Sequence, residues 1–452
     1  MKYDFDLIVI GSGAGGSVGA DFAANLGKKV AVFEKEKVGG ECPNWACVPT
    51  KALLSVADTL EHIKFAGKFG VSVTGTTIHY QKIKAWKNLV VSRTGAAEGE
   101  EAFKNAGITL IKERAWFLSP HEVEAGGKTY SAKNFLIATG TEVLVPPIPG
   151  LKETGFSTFK EAVDFDHLPK SIFILGGGAV GLEFTQIFST FGSEVYLAEA
   201  LPSLMAREDK EVGELSADLF ERAGVKVLTG TKVMEVRKAG HKKIVSFEIG
   251  GHLDKVEVDE ILLASGKKPV LDIELEKAGV EYNPKQIKVN EFLLTTTPNI
   301  YAAGDIVGPY QFTHTGNYQS YIAANNIFNS KKIKLDYSAV PRCVFTSPEI
   351  AAVGLTEKEA LEKKIKIKKA IVPISILGRA NTSEEFDGFV KVVTDEKGIL
   401  IGASIVAPSA GEMIHELTLA IKLKANASDV AEMIHAYPTF SEAIKIACAN
   451  VE

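Results

Sequence analysis

The chain has 452 residues, enough for about three domains at roughly 150 residues each. Its 51 basic and 56 acidic side chains give a net charge of −5, with 46% hydrophobic and 24% charged residues. This ordinary globular composition gives no reason to expect nucleic acid or an anionic membrane as a partner.

The opening Met1-Lys2-Tyr3-Asp4-Phe5-Asp6 runs straight into Leu7-Ile8-Val9-Ile10. That apolar run is too short for a signal-peptide core and has no small-residue cleavage site. Nowhere does an apolar run reach the roughly 18 residues of a membrane-spanning helix. Only four cysteines are present, too few for a secreted disulfide scaffold. A cytoplasmic protein is expected, in which a close cysteine pair is catalytic rather than structural.

Leu7 to Ile10 reads as a buried strand, followed by Gly11-Ser12-Gly13-Ala14-Gly15-Gly16 and a helix to about Leu26, with Gly27 as its stop. A second strand, Val30 to Phe33, ends at Glu34. This is G-x-G-x-x-G in its required context. Gly11 permits the tight turn, Gly13 lets the backbone approach a pyrophosphate, and Gly16 lets the helix pack on the strand. Free N–H groups at the helix N-terminus face the phosphates, and Glu34 accepts from a ribose hydroxyl. These residues suit NAD and FAD alike.

Next comes Gly39-Gly40-Glu41-Cys42-Pro43-Asn44-Trp45-Ala46-Cys47-Val48-Pro49-Thr50-Lys51, with four residues between Cys42 and Cys47. Leu53, Leu54, Val56, Ala57, Leu60 and Ile63 predict a helix from Lys51 to about Lys64. Cys47 is therefore expected just before a helix N-terminus, which lowers a thiol pKa. The spacing allows a disulfide, and a pair of this kind points to redox chemistry rather than two buried thiols. No second cysteine or histidine pair stands at ligand spacing, so no zinc site is expected.

Pro146-Pro147-Ile148-Pro149-Gly150 reads as a stiff linker. Beyond it the nucleotide unit recurs: strand Ile172 to Leu175, then Gly176, Gly178 and Gly181. Gly176 follows Gly11 by 165 positions; Gly192 lies 11 after Gly181, as Gly27 does after Gly16; Glu199 lies 23 after Gly176, as Glu34 does after Gly11. Two copies agreeing at the glycines, the helix stop and the acid imply two bound dinucleotides. Glu199 suits a free 2′-hydroxyl and repels a 2′-phosphate, so the second site is expected to prefer NAD over NADP, although Arg207 lies nearby in sequence.

Taken together, these motifs resemble the FAD-dependent pyridine nucleotide–disulfide oxidoreductases, the group of dihydrolipoyl dehydrogenase, glutathione reductase and mercuric reductase. Gly39 to Lys51 matches the family's active-disulfide motif, with Ala46 where a glycine is usual. Ala138-Thr139-Gly140 and Ala264-Ser265-Gly266 resemble the strand-end signatures after each nucleotide unit. Tyr301-Ala302-Ala303-Gly304-Asp305 resembles the second FAD motif, and Pro341-Arg342 with Phe345 to Ile350 opens what looks like a dimerisation domain. The resemblance implies FAD at the first site. It also implies Cys47 against the flavin as the charge-transfer thiolate and Cys42 as the interchange thiol. Lys51 would sit near the flavin, paired with Glu183, and Asp305 would meet the ribityl chain. The active site would be shared across a homodimer.

Near the C-terminus stands Ile434-His435-Ala436-Tyr437-Pro438-Thr439-Phe440-Ser441-Glu442. In disulfide reductases that this chain resembles, a histidine precedes this Pro-Thr as acid/base, oriented by the glutamate. Here Tyr437 takes that place and Glu442 is retained. A phenol titrates near pH 10 and an imidazole near pH 6.5, so Tyr437 is expected to be a poor base at neutral pH. His435 is a substitute displaced by about 7 Å along an extended segment. Mercuric reductases of the family also carry tyrosine here, but Ala447-Cys448-Ala449-Asn450-Val451-Glu452 lacks their vicinal cysteine pair. Cys448 and Cys343 read as bystanders.

The expected fold is α/β: two Rossmann-like dinucleotide-binding domains and a C-terminal α+β dimerisation domain. The expected boundaries are an FAD domain at 1–146, an NAD domain at 147–265, a return to the FAD domain at 266–335, and the dimerisation domain at 336–452. The expected function is NADH-dependent reduction of a small-molecule or lipoyl disulfide through FAD and Cys42–Cys47, or the reverse. Reduction of a metal ion in the manner of mercuric reductase is the alternative. A flavoprotein with mainly a binding or sensing role is a third.

Overall fold

Leu7, Ile8 and Val9 are fully buried, as an interior strand of a parallel sheet requires. In the computed structural model, which describes residues 2–452, Phe5–Ile10 pairs in parallel with Val30–Phe33 on one side and Lys128–Ile137 on the other. Thr109–Ile111 extends the sheet beyond Val30–Phe33, and Ile300–Ala302 extends it beyond Lys128–Ile137. The first half of Lys128–Ile137 turns antiparallel against Glu122–Ala125, which pairs in turn with Trp116–Ser119.

Helix Ala14–Asn25 is rich in small residues for a packing reason. A Cβ on Gly19 would lie 2.9 Å from Leu136 Cδ2 and 3.0 Å from Ser320 Oγ. The Gly19 N–H instead donates to Ser320 Oγ at 2.8 Å, joining this helix to Thr313–Phe328. These elements form one compact unit, built from the chain up to Ala52, Lys82–Leu144 and Gly266–Asp336.

The second unit comprises Leu53–Gln81, Val145–Ser265 and Tyr337–Glu452. It contains a parallel sheet in the order Lys226–Thr229, Glu194–Glu199, Ser171–Leu175, Glu260–Leu263. Helix Ala179–Phe191 follows its central strand and is buried over most of its surface. Lys232–Ala239, Lys242–Ile249 and His252–Val258 form a separate antiparallel sheet.

Its C-terminal part is a five-stranded antiparallel sheet in the order Arg342–Val344, Glu349–Gly354, Leu400–Ala407, Phe389–Asp395, Ile367–Pro373. Helices Ala410–Leu423 and Glu442–Ala449 pack on it through Ile414, Leu417, Ile444 and Ala447. Lys368 and Lys369 are exposed on the edge strand, where charge discourages pairing with another sheet. The expected mixed α/β class is observed, with two parallel nucleotide-type sheets and a C-terminal α+β part.

One polar cluster inside this unit carried no sequence signal. The Lys391 side chain is 2% exposed and its ammonium meets Asp209 at 3.2 Å, Glu211 at 3.0 Å and Glu357 at 2.8 Å. Arg342 grips Glu208 nearby with two nitrogens, each at 2.8 Å.

Candidate active site

The two glycine fingerprints superimpose in their physical demands. Gly11 has φ +101°, and a Cβ there would lie 2.2 Å from the Ala138 carbonyl oxygen; Gly176 has φ +124°, with Ala264 O at 2.3 Å. Gly16 and Gly181 would each drive a Cβ into a backbone oxygen of the turn, at 2.0 Å from Gly11 O and 1.8 Å from Gly176 O. Gly13 and Gly178 differ. The nearest atom to a Cβ at Gly13 is 3.8 Å away, and nothing lies within 4 Å at Gly178. The first and third glycines are demanded by the fold itself. The second opens bare backbone at a helix N-terminus, where a pyrophosphate fits.

The acids are built alike. The Glu34 carboxylate accepts from Ser12 N–H at 3.0 Å, Ser12 O–H at 2.6 Å and Glu36 N–H at 2.8 Å. Glu199 accepts from Gly177 N–H at 2.7 Å and Leu201 N–H at 2.8 Å. Each anchored carboxylate has acceptor capacity left for ribose hydroxyls. These observations fit dinucleotides at both units.

The second motif expected at the first site also comes together there. A Cβ on Gly15 would lie 2.7 Å from Ala303 O, and one on Gly304 lies 3.3 Å from Gly15 Cα, so the two glycine turns meet backbone to backbone. Gly304 N–H donates to Gln319 Oε1 at 2.6 Å. Asp305 accepts from the Thr141 hydroxyl at 3.2 Å; burial raises its pKa, with Lys267 opposing and Glu41 reinforcing the rise. Thr139 O–H donates to Val270 O at 2.8 Å, and Gly140 O accepts from Val270 N–H at 3.0 Å. Gly266, whose carbonyl accepts Leu144 N–H at 2.9 Å, stands in this first unit beside the paired strands Thr141–Val143 and Lys267–Pro269.

The cysteines sit on two consecutive helical segments. Gly39 and Gly40, at φ +90° and +68°, turn the chain into the short helix Glu41–Asn44, which carries Cys42. Cys47 is itself the first residue of helix Cys47–Phe65, so the helix starts four residues earlier than the apolar pattern indicated. Val48-Pro49 explains the early start, since proline is tolerated in a first turn. Lys51 lies one turn further along. Asn44 braces the segment, its amide donating to Val38 O at 2.9 Å and Gly40 O at 2.8 Å.

Both cysteines stand as thiols, and their side chains share a hydrogen bond. That bond, then burial and the Cys47 charge, pushes the Cys42 thiol far above its usual range, against the opposing effects of Thr313 and Lys51. The Thr313 hydroxyl lies 3.5 Å from Cys47 Sγ. Cys42 is therefore the sulfur that holds its proton more tightly than an ordinary thiol.

Sequence reasoning missed the ion pair beside this centre. Lys267 Nζ lies 2.6 Å from Glu41 Oε2 and 3.9 Å from Asp305 Oδ2. Burial alone would depress this ammonium; Glu41, Asp305 and Cys47 outweigh it and hold its pKa above the ordinary lysine value. Glu41 and Lys267 each fall beside a recognised motif, but 226 positions separate them, and nothing in a sequence marks such a pair.

In the second unit, Glu183 accepts Phe345 N–H at 3.1 Å through its carboxylate. Tyr437 is 78% exposed, and its hydroxyl would lie 3.0 Å from a Cβ on Gly378. His435 Nε2 meets Glu416 Oε1 at 2.9 Å, so the nearby histidine is engaged by its own chain. Glu442 accepts Thr439 N–H at 3.1 Å. Cys448 is buried, and burial with the Glu416 charge pushes its thiol up to about 12. Among the described residues, no cluster of His, Cys, Asp or Glu is arranged to hold a metal ion, and no helix is long and apolar enough to cross a membrane.

Comparison with known proteins agrees with this geometry. Residues 5–326 match the pyridine nucleotide-disulphide oxidoreductase family, and residues 340–448 match the family's dimerisation domain. The chain is 39% identical to dihydrolipoyl dehydrogenase of Thermus scotoductus, covering 97% of this chain and 96% of the relative. It is 34% identical to mercuric reductase of Bacillus cereus, covering 99% of this chain and 71% of that protein. The HOCl-induced flavoprotein disulfide reductase RclA from Escherichia coli has a similar structure, with a TM-score of 0.88 at 27% identity over 99% of this chain and all of that one. The doubled nucleotide fold and the dimerisation-domain match place this chain in the FAD-dependent pyridine nucleotide–disulfide oxidoreductase family of enzymes.

Proposed function

We propose that this chain is an NADH-dependent disulfide (dithiol) oxidoreductase of the dihydrolipoyl dehydrogenase type, working in the cytoplasm as a homodimer. The observation that carries the reading is the pair Cys42 and Cys47, set on two consecutive helical segments with their side chains sharing a hydrogen bond.

The residues proposed to hold FAD are Gly11, Gly13, Gly16, Glu34, Lys51, Thr139, Gly140, Gly304 and Asp305. Those proposed for the pyridine nucleotide are Gly176, Gly178, Gly181 and Glu199; Gly266 is the remaining residue proposed for cofactor binding. When bound, FAD carries the electron pair between the nicotinamide and the cysteine pair. NAD rather than NADP is supported by Glu199, whose anchored carboxylate favours a 2′-hydroxyl and repels a 2′-phosphate. The dimerisation-domain match supports the homodimer.

The reaction balances as NADH, H⁺ and a substrate disulfide giving NAD⁺ and two thiols. Cys42, once deprotonated, attacks one substrate sulfur, forming a mixed disulfide and releasing the first thiol. Cys47 thiolate then attacks Cys42 sulfur, releasing the second thiol and restoring the Cys42–Cys47 disulfide. Read backwards, the same steps oxidise a dithiol with NAD⁺. The raised Cys42 thiol must lose its proton before it can attack, and Tyr437 stands where the family's disulfide reductases use a histidine.

A second reading, reduction of a soft metal ion such as Hg²⁺, is favoured by Tyr437, because mercuric reductases of the family share that residue. Burial of the solitary Cys448 weighs against it. Steady-state turnover with NADH and lipoamide, small disulfides or Hg²⁺, and with NAD⁺ and dihydrolipoamide, tests both. The first reading expects lipoamide or another disulfide to give the highest kcat/KM, and NADH to outperform NADPH. Turnover confined to Hg²⁺ would replace it with the second.

A further inference from the structure

We infer that Lys267 is a positioning residue of the dithiol centre: its ammonium neutralises Glu41 and Asp305 beside the two cysteines, so that a thiolate can form at Cys47. The inference rests on the proposed dithiol chemistry and adds a residue to it.

The geometry is specific. Glu41 immediately precedes Cys42 on the short helix Glu41–Asn44, and its carboxylate is held by Lys267, whose ammonium also interacts with Cys47. Asp305 follows the strand Ile300–Ala302 and is half-buried, with Lys267, Glu41 and Thr141 as its neighbours. Left alone, two carboxylates would oppose the formation of a third anion at Cys47. Lys267 answers both, at 2.6 Å from Glu41 and 3.9 Å from Asp305. Its side chain is 23% exposed, so the pairing is only partly screened by solvent.

The strand Lys267–Pro269 that carries it is held to Thr141–Val143 by backbone pairing. Thr141 in turn donates to Asp305. The charged and titratable groups around the centre are thus Glu41 and Cys42 on the short helix, Cys47 and Lys51 on the helix Cys47–Phe65, Asp305 and Lys267. The hydroxyls of Thr141 and Thr313 complete the surroundings. Lys51 supplies a second positive charge toward Cys42. With Lys267 removed, the remaining groups on its side are both anionic.

The test is a pH titration of the thiolate–flavin charge-transfer absorbance in anaerobic, two-electron-reduced holoenzyme. Lys267→Met is expected to move the midpoint up by about 1 pH unit or more, the usual scale for loss of a close opposite charge. Glu41→Gln is expected to move it down. Lys267→Arg is expected to leave it near the wild-type value, and the double variant Lys267→Met/Glu41→Gln to return most of the way. A lysine with a purely structural role would give no upward shift on neutralisation and no return in the double variant. If Lys267→Met does not fold, Lys267→Gln, alone and with Glu41→Gln, makes the same comparison. Midpoints that coincide across the variants, in an enzyme whose wild type shows the band, overturn the role of Lys267 alone. Absence of the band in the wild type overturns the dithiol reading with it.

Discussion

Cys42 and Cys47 share a hydrogen bond that makes their ionisation sequential: the charge of one sulfur holds the proton on the other. Both are therefore needed, for different steps. Replacing either with serine should lower disulfide turnover by roughly three orders of magnitude or more, and the two losses should not add, because the sulfurs act as a unit. Steady-state kcat for Cys42→Ser, Cys47→Ser and the double variant checks this.

The glycine fingerprints separate folding from binding. Gly178→Ala meets no protein atom within 4 Å and has no left-handed φ. Its Tm should stay within a few degrees of wild type while KM for NADH rises severalfold, since the added methyl occupies the approach of the pyrophosphate. Gly176→Ala combines φ +124° with a Cβ 2.3 Å from Ala264 O, and should lower Tm markedly. Thermal denaturation beside NADH kinetics separates the two.

The pH profile should expose Tyr437. Because the Cys42 thiol is pushed up from its ordinary value, the thiol form dominates at neutral pH and the attacking thiolate grows only as pH rises. Turnover with a disulfide should therefore climb toward alkaline pH. Tyr437→His supplies a group titrating near pH 6.5, and should raise neutral turnover by about 10- to 100-fold while flattening the alkaline rise. A kcat/KM profile from pH 6 to about pH 10 compares the two proteins directly.

Lys391 should be a stability residue. Burial alone would depress its ammonium, but Glu357, Glu211 and Asp209 outweigh that and hold its pKa above the ordinary value. A raised lysine pKa contributes stability that is fully present below the unfolded value near 10.4 and is lost as pH rises through the folded one. Lys391→Met removes the buried cation shared by Asp209, Glu211 and Glu357, leaving only Lys369 on Glu357, and should cost about 3–5 kcal/mol at neutral pH. Denaturant unfolding at pH 7 measures the loss, and the gap to wild type should begin to narrow only above roughly pH 10.4.

The sequence made the nucleotide units legible because the turn chemistry is local. Gly11, Gly16, Gly176 and Gly181 are demanded by backbone approaches within one βα turn, and each acid follows at a fixed distance. The start of the helix at Cys47 was not legible, because Val48-Pro49 interrupts the apolar pattern without preventing a first turn. Nor were Glu41–Lys267, Thr313–Cys47 and the Lys391 cluster, whose partners meet only after the chain has folded. The engagement of His435 by Glu416 was equally hidden, since it depends on which face of the helix meets the loop.

Anaerobic titration of the purified holoenzyme with NADH tests the central claim most directly. The first equivalent should produce a long-wavelength thiolate–flavin absorbance with the flavin still largely oxidised, because the electron pair comes to rest on Cys42 and Cys47. Bleaching of the flavin by that first equivalent, with no long-wavelength band, would contradict the account.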